Sequence, residues 1–199
     1  MDGEKADMVF TDPPYGMRLD TNFHKGDLVV GNSYRAVEGD NSDYDPSQLI
    51  SIFKNSREFF ICGVDYFHNR IPNGGSFVVW DKRNDELETA VGNDFELCWS
   101  REHHKRLVFR KLWSGFTARE RSEIRVHPTQ KPIALAEWFF ERWGKPYDIV
   151  ADLFLGSGST LIACEKTGRR CFGMEIDPHY CDVIIERYKK FSGKEVVKC

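Results

Sequence analysis

Residues 151–163 read ADLFLGSGSTLIA. With Ile149 and Val150 ahead of it, the stretch opens as a short apolar run of the kind that forms a buried strand, here 149–153. Gly156-Ser157-Gly158 then turns the chain, and residues 159–167 carry a helical pattern. The two glycines let a ligand approach the backbone. Ser157, Ser159 and Thr160 add hydroxyls and helix-start N–H groups. Taken alone, the turn is weak evidence of a ligand site, and a structural turn is the alternative. It lacks the third glycine of a dinucleotide fingerprint and the Gly-Lys-Ser/Thr of a phosphate loop.

Working outward, a further strand over 170–175 ends in Glu175, 17 positions after Gly158. A carboxylate at the end of the second strand of a β-α-β unit is placed to accept both hydroxyls of a ribose. Ile176 and Pro178 then stand ready to flank an adenine ring, and 178–191 read as a closing helix. Upstream, KPIALAEWFFERW (131–143) opens with Lys131-Pro132 and places Ile133, Ala136, Phe140 and Trp143 along one side of a helix.

Nearer the N-terminus, strands are expected at 7–11, 58–62 and 76–80, with a helix over 45–56 and a helical turn at 64–69. Residues 95–99 and 106–112 alternate as strands of a hairpin, and 16–45 and 113–126 read as loops. Strands alternating with helices predict an α/β fold: a mostly parallel sheet with helices on both faces, binding ligands at the carboxyl ends of its strands. Residues 12–15, 154–160 and 175–177 each follow an expected strand, and that agreement outweighs any one motif.

The bulk numbers bound the reading. A chain of 199 residues with 41% hydrophobic and 30% charged residues is expected to be one globular domain, 1–199. No apolar run approaches the ~18 residues of a membrane span. The polar, acidic start is not a signal peptide, so a cytoplasmic protein without membrane attachment is expected. Cysteines at 62, 98, 164, 171, 181 and 199 form no C-x-x-C pair, so reduced thiols are expected, without zinc or disulfides. Net charge is −3, yet residues 101–127 hold six Arg and two Lys against three Glu. A basic segment on an acidic body suits a phosphate backbone, and a solvated basic loop fits it equally well on charge alone.

The strand at 7–11 ends in Asp12-Pro13-Pro14-Tyr15. Two prolines make a rigid corner with no N–H to donate. Asp12 and the Pro13 carbonyl offer two acceptors for an exocyclic amine, and Tyr15 offers a ring on which a base can stack, worth roughly 1–3 kcal/mol. A base inside a duplex must first be flipped out. In isolation, a stiff structural corner explains the tetrapeptide as well.

Four stretches together carry a resemblance: DPPY at 12–15, HPTQKP at 127–132, DLFLGSGST at 152–160 and GMEIDP at 173–178. Their order resembles that of the S-adenosylmethionine-dependent DNA amino-methyltransferases of the permuted β group, which methylate adenine N6 or cytosine N4. The likeness spans residues 7–190 and implies a Rossmann-like methyltransferase fold with permuted motif order. Carried over position by position, it implies that Asp12, Pro13, Pro14 and Tyr15 form the catalytic corner. The cofactor S-adenosylmethionine would be held by Asp12, Thr129, Lys131, Asp152, Phe154, Gly156, Ser157, Gly158, Ser159, Glu175 and Ile176. Without the resemblance, Lys131 reads as a plain first-turn residue and His127 as a satisfied loop histidine.

The implied chemistry is direct displacement, with no covalent enzyme intermediate and no metal. Asp12 at the first motif position favours adenine over cytosine N4, and a non-catalytic DNA- or nucleotide-binding remnant is the alternative of another class. Methylation at carbon-5 needs a Pro-Cys pair, which the chain does not contain. Residues 81–126 fall where the family carries its target-recognition insert. Arg101, Lys105, Arg106, Arg110, Lys111, Arg119 and Arg121 are the candidate DNA contacts. The resemblance also covers restriction-modification and phage enzymes, some with an upstream ParB-like domain. Six residues precede Asp7 and eight follow the closing helix. A fragment with a sheet one edge strand short of the usual seven is therefore expected, and an open edge favours a homodimer.

Overall fold

The computed structural model describes residues 1, 3–25, 28–83, 93–113 and 123–197, with the backbone alone at 22–25 and 28–33. In chain order its strands are β1 (Met8–Thr11), β2 (Asn22–Lys25), β3 (Leu28–Ser33), β4 (Glu58–Cys62), β5 (Ser76–Asp81), β6 (Phe95–Ser100), β7 (Leu107–Arg110), β8 (Ile149–Asp152) and β9 (Arg170–Gly173). The helices are α1 (Ser47–Ile52), α2 (Ile133–Trp143), α3 (Ser159–Lys166) and α4 (Pro178–Ser192), with short 3-10 turns at Val64–Tyr66 and His68–Arg70.

Seven strands form one sheet in the order β7-β5-β6-β4-β1-β8-β9, and β2 pairs with β3 in a separate ribbon. The expectation of a sheet one strand short is therefore corrected: seven strands are present. Nor do residues 95–99 and 106–112 form a hairpin. Both strands flank β5, β6 antiparallel and β7 parallel to it. Alternation identifies a strand but not its neighbour, so sequence proximity misassigned the pairing. The stretch 16–45 also differs from expectation, since it contains the β2–β3 ribbon.

All four residues of β1 are buried, as a central strand covered on both faces requires. On one face Phe10, Phe60, Val78 and Trp80 pack against Leu135, Phe139 and Phe140 of α2 and Ala163 of α3. On the other, Val9, Phe59, Ile61 and Trp99 pack against Leu49 of α1 and Val64 and Phe67 of the 3-10 turns. Burial of each large side chain contributes about 1.5–3 kcal/mol, so α2 is held by its packing. Its fully buried positions are Leu135, Ala136, Phe139 and Phe140. Of the expected side, Ala136 and Phe140 are among them, while Ile133 and Trp143 pack partly buried against the same core.

Cys62 and Cys98 lie directly opposite each other across β4 and β6 and are joined as a disulfide, which corrects the expectation of thiols only. They are 36 positions apart in the chain, and only strand pairing brings them together. Cys164, Cys171 and Cys181 are free. Among the described residues no helix is long and apolar enough to cross a membrane, and no cluster of metal-ligating side chains occurs.

Every strand of the large sheet except β6 runs parallel to β1. The carboxyl ends of β1, β4, β5, β7, β8 and β9 thus share one edge, and β6 alone presents its first residues there.

Candidate active site

A cavity of about 730 Å³ opens at that edge. Its size falls in the range of small-molecule sites. Asp12, Pro13, Pro14 and Tyr15 after β1 line it, as do Asp152, Phe154, Gly156 and Ser157 after β8, Glu175 and Ile176 after β9, and Thr129, Lys131 and Ser159. Of the residues expected around corner and cofactor, only Gly158 is not in the wall. It holds the turn in the left-handed region, φ 80°, with no room for a β-carbon to spare: one would lie 3.2 Å from Ile184.

The wall is tied together by side chains. Thr11 Oγ1 donates to Asp152 Oδ1 at 2.7 Å and so links β1 to β8. Burial pushes the Asp152 carboxyl up to about 6. Glu175 accepts the Gly156 N–H at 2.7 Å through Oε2 and the Asp177 N–H at 2.9 Å through Oε1. This fixes the carboxylate beside the glycine turn. Ile176 lines the same cavity yet is 79% exposed, an apolar side chain left for a ligand to cover. Carboxylate, glycine turn and uncovered apolar wall together fit the ribose and adenine of S-adenosylmethionine.

The HPTQKP stretch mostly folds itself. The Thr129 N–H donates to His127 Nδ1 at 3.2 Å, and the Gln130 side chain bonds the backbone of Val126 and Ile124. His127 packs on Tyr180, and its burial lowers its pKa to about 4, so the ring is neutral. Ser159 Oγ donates to the Lys131 carbonyl at 2.7 Å and so anchors the stretch to α3. Lys131 lies two positions before α2 in chain order rather than in its first turn.

The Lys131 ammonium points to the Asp12–Tyr15 corner. It lies 2.6 Å from Asp12 Oδ2, 3.0 Å from Glu96 Oε2 and 3.0 Å from the Tyr15 hydroxyl. The contact to Tyr15 is a hydrogen bond, and the two carboxylate contacts are close ion pairs. Lys131 also lines the cavity, the space in which the resemblance has it approach the cofactor. Tyr15 in turn donates to Asp12 Oδ1, and Lys82 of the β5 edge pairs with Glu96 Oε1. Burial works against the charge on Lys131, but Asp12 and Glu96 outweigh it and hold the ammonium above its ordinary value. Burial raises the Asp12 carboxyl, offset in part by Lys131.

Sequence reasoning did not find Glu96, Lys82, Tyr66 or Asp40. Tyr66 lies parallel on Tyr15, with centroids 4.7 Å apart and an 8° tilt. Asp40 accepts the N–H groups of Gly16, Met17 and Leu19 at 3.0, 3.1 and 2.8 Å, tying the start of the long loop over the cavity. The only signal for Asp40 was an acid in a Gly-Asp turn inside that loop.

The candidate DNA contacts separate. Arg101, Lys105 and Arg106 follow β6, at the edge opposite the cavity. Arg101 is also consumed there, donating to the Phe53 and Ser56 carbonyls at 3.0 and 2.6 Å. Arg110 and Lys111 end β7 on the cavity side, where Arg110 pairs with Asp81 at 3.5 Å. Arg119 and Arg121 lie outside the described residues, as do 84–92 and 114–122 of the expected insert.

The N6_N4_Mtase family, described as DNA methylase, matches residues 77–186, more than half of the chain. The chain therefore belongs to this family of DNA amino-methyltransferases. YubD of Escherichia coli (strain K12) is 27% identical over 196 residues, covering 89% of this chain and 79% of YubD. Among solved structures, the M1.HpyAVI–SAM complex superposes with a TM-score of 0.55 at 23% identity over 94% of this chain and 90% of that one. The PvuII DNA methyltransferase (cytosine-N4-specific) does so with a TM-score of 0.60 at 15% identity, over 94% and 82%. These likenesses establish the Rossmann-like methyltransferase fold.

Proposed function

We propose that this chain transfers a methyl group from S-adenosylmethionine to the N6 amine of adenine in DNA, as a cytoplasmic enzyme. One observation carries the reading: the Asp12 carboxylate and the Glu175 carboxylate open into one continuous cavity. An acceptor for an amine and an acceptor for a ribose thereby face the same space.

S-adenosylmethionine supplies a methyl group on a cationic sulfur, open to an amine lone pair. Glu175 holds its ribose, Ile176 covers its adenine, and Phe154, Gly156 and Ser157 surround its methionine part, with Thr129 beside them. Asp12 and the Pro13 carbonyl accept the two hydrogens of the target amine, which localises the nitrogen lone pair. Tyr15 and Lys131 fix the direction of the Asp12 carboxylate, so the amine meets a preformed acceptor. The target base stacks on Tyr15, one face of which is already covered by Tyr66. Asp rather than Ser at position 12 supports adenine.

The test is transfer of a labelled methyl group to methylation-free genomic DNA, with the modified nucleoside identified. N6-methyladenine is expected, and Asp12→Ala should abolish transfer while cofactor binding persists. N4-methylcytosine would correct the base, and no transfer at all would overturn the reading.

A further inference from the structure

Four charged groups form a line along the carboxyl-end edge of the sheet, from the end of β5 to the end of β1. Lys82 after β5 pairs with Glu96 in β6, Glu96 with Lys131, and Lys131 with Asp12. Neither Lys82 nor Glu96 lines the cavity, and Glu96 reaches its wall through Lys131. It reaches this position because β6 runs against the other strands and offers its second residue to the edge where they end. Its side chain is 12% exposed, as is that of Lys131.

A buried ammonium with one anionic partner is free to turn toward whichever acceptor solvates it best. Two carboxylates on different strands, plus the Tyr15 hydroxyl, leave it one orientation. We propose that Glu96 is a positioning residue for methyl transfer: tied down by Lys82, it holds the Lys131 ammonium against Asp12 and Tyr15, and so fixes the acceptor that receives the target amine. The proposal rests on the reading of Asp12 as that acceptor.

The groups that face Lys131 are Asp12 and Tyr15 after β1, Glu96 of β6 with Lys82 behind it, Tyr66 of the 3-10 turn, and His127 of its own segment. Asp65 lies near enough to Tyr15 to act on its hydroxyl. Among the described residues, Asp12 and Glu96 are the carboxylates in contact with the ammonium.

Two readouts test the idea on the full chain. The first is the carbon-13 NMR signal of the lysine ε-carbons, with Lys131 assigned by its loss in Lys131→Met. In the native chain the Lys131 signal should keep its cationic position up to alkaline unfolding. In Glu96→Gln it should titrate earlier, by about 1–3 pH units. Lys82→Met keeps both carboxylates and removes a neighbouring cation, so it should leave the Lys131 titration as high or higher. The second readout is steady-state methyl transfer. Glu96→Gln should lower kcat on the order of 10–100-fold, with KM for S-adenosylmethionine unchanged, and Glu96→Asp should restore part of the loss. A Lys131 titration indifferent to Glu96→Gln overturns the proposal, as does an unchanged kcat in Glu96→Gln. If the native chain transfers no methyl to DNA, the functional reading fails, and the NMR titration still decides whether Glu96 orients Lys131.

Discussion

Two buried residues at the cavity wall titrate in opposite senses. His127, 7% exposed, is held neutral with its pKa lowered by burial to about 4 from an ordinary 6.5. The unfolded chain binds that proton more readily, so stability is lost as pH falls from about 6.5 toward 4. Asp152, 3% exposed, has its carboxyl raised by burial to about 6 from 3.8. Its contribution is fully present below the ordinary value and is lost as pH rises through about 6. Over the shared window the two oppose each other. His127→Asn should therefore gain about 1–2 kcal/mol relative to the parent between pH 7 and pH 5, and Asp152→Asn should lose a similar amount. Urea midpoints at the two pH values measure both. Asp12 and Glu175 were legible in the sequence because each closes a recognisable strand. Glu96 was not, because its meaning depends on a lysine 35 positions away that only the fold brings near.

At the scale of elements, the turn after β4 is the tightest constraint on the corner. Gly63 has φ 71°, and a β-carbon there would fall 1.8 Å from Tyr15 Cε1. Neither the backbone nor the ring has room to yield, since Tyr15 is pinned by Asp12 and Lys131. Gly63→Ala should cost about 2–4 kcal/mol and reduce methyl transfer far more than cofactor affinity. Thermal unfolding and cofactor titration separate the two effects. The alternating strands and the helix with Pro178 in its first turn were readable from local pattern, and the Asp177 cap confirms the start of α4. Strand order was not readable. Partners of β5 are chosen by packing against α2 and by the connections, which leave no mark in the period of the side chains.

For the whole molecule, the basic surplus between 101 and 127 is not one surface. Its first members sit at the edge where β6 ends, and Arg110 and Lys111 sit at the edge where the cavity opens. Replacing Arg110 and Lys111 together by Ala should weaken DNA binding about tenfold or more. Replacing Lys105 and Arg106 should leave it unchanged. Fluorescence anisotropy with a labelled duplex checks both pairs. Linear sequence had placed all of these residues in one candidate patch, because a strand that reverses direction carries its flanking charges to the opposite side.

The line of Lys82, Glu96, Lys131 and Asp12 alternates in sign and sums to no net charge. Its contacts are far shorter than the Debye length of about 8 Å at physiological ionic strength, and mobile ions have no access between its members. Counterions gather instead along the duplex and are released when it is captured. Ionic strength should therefore govern how firmly the substrate is held while leaving the rate of turnover on the bound duplex almost untouched. Capture and chemistry in this enzyme become separable by added electrolyte alone.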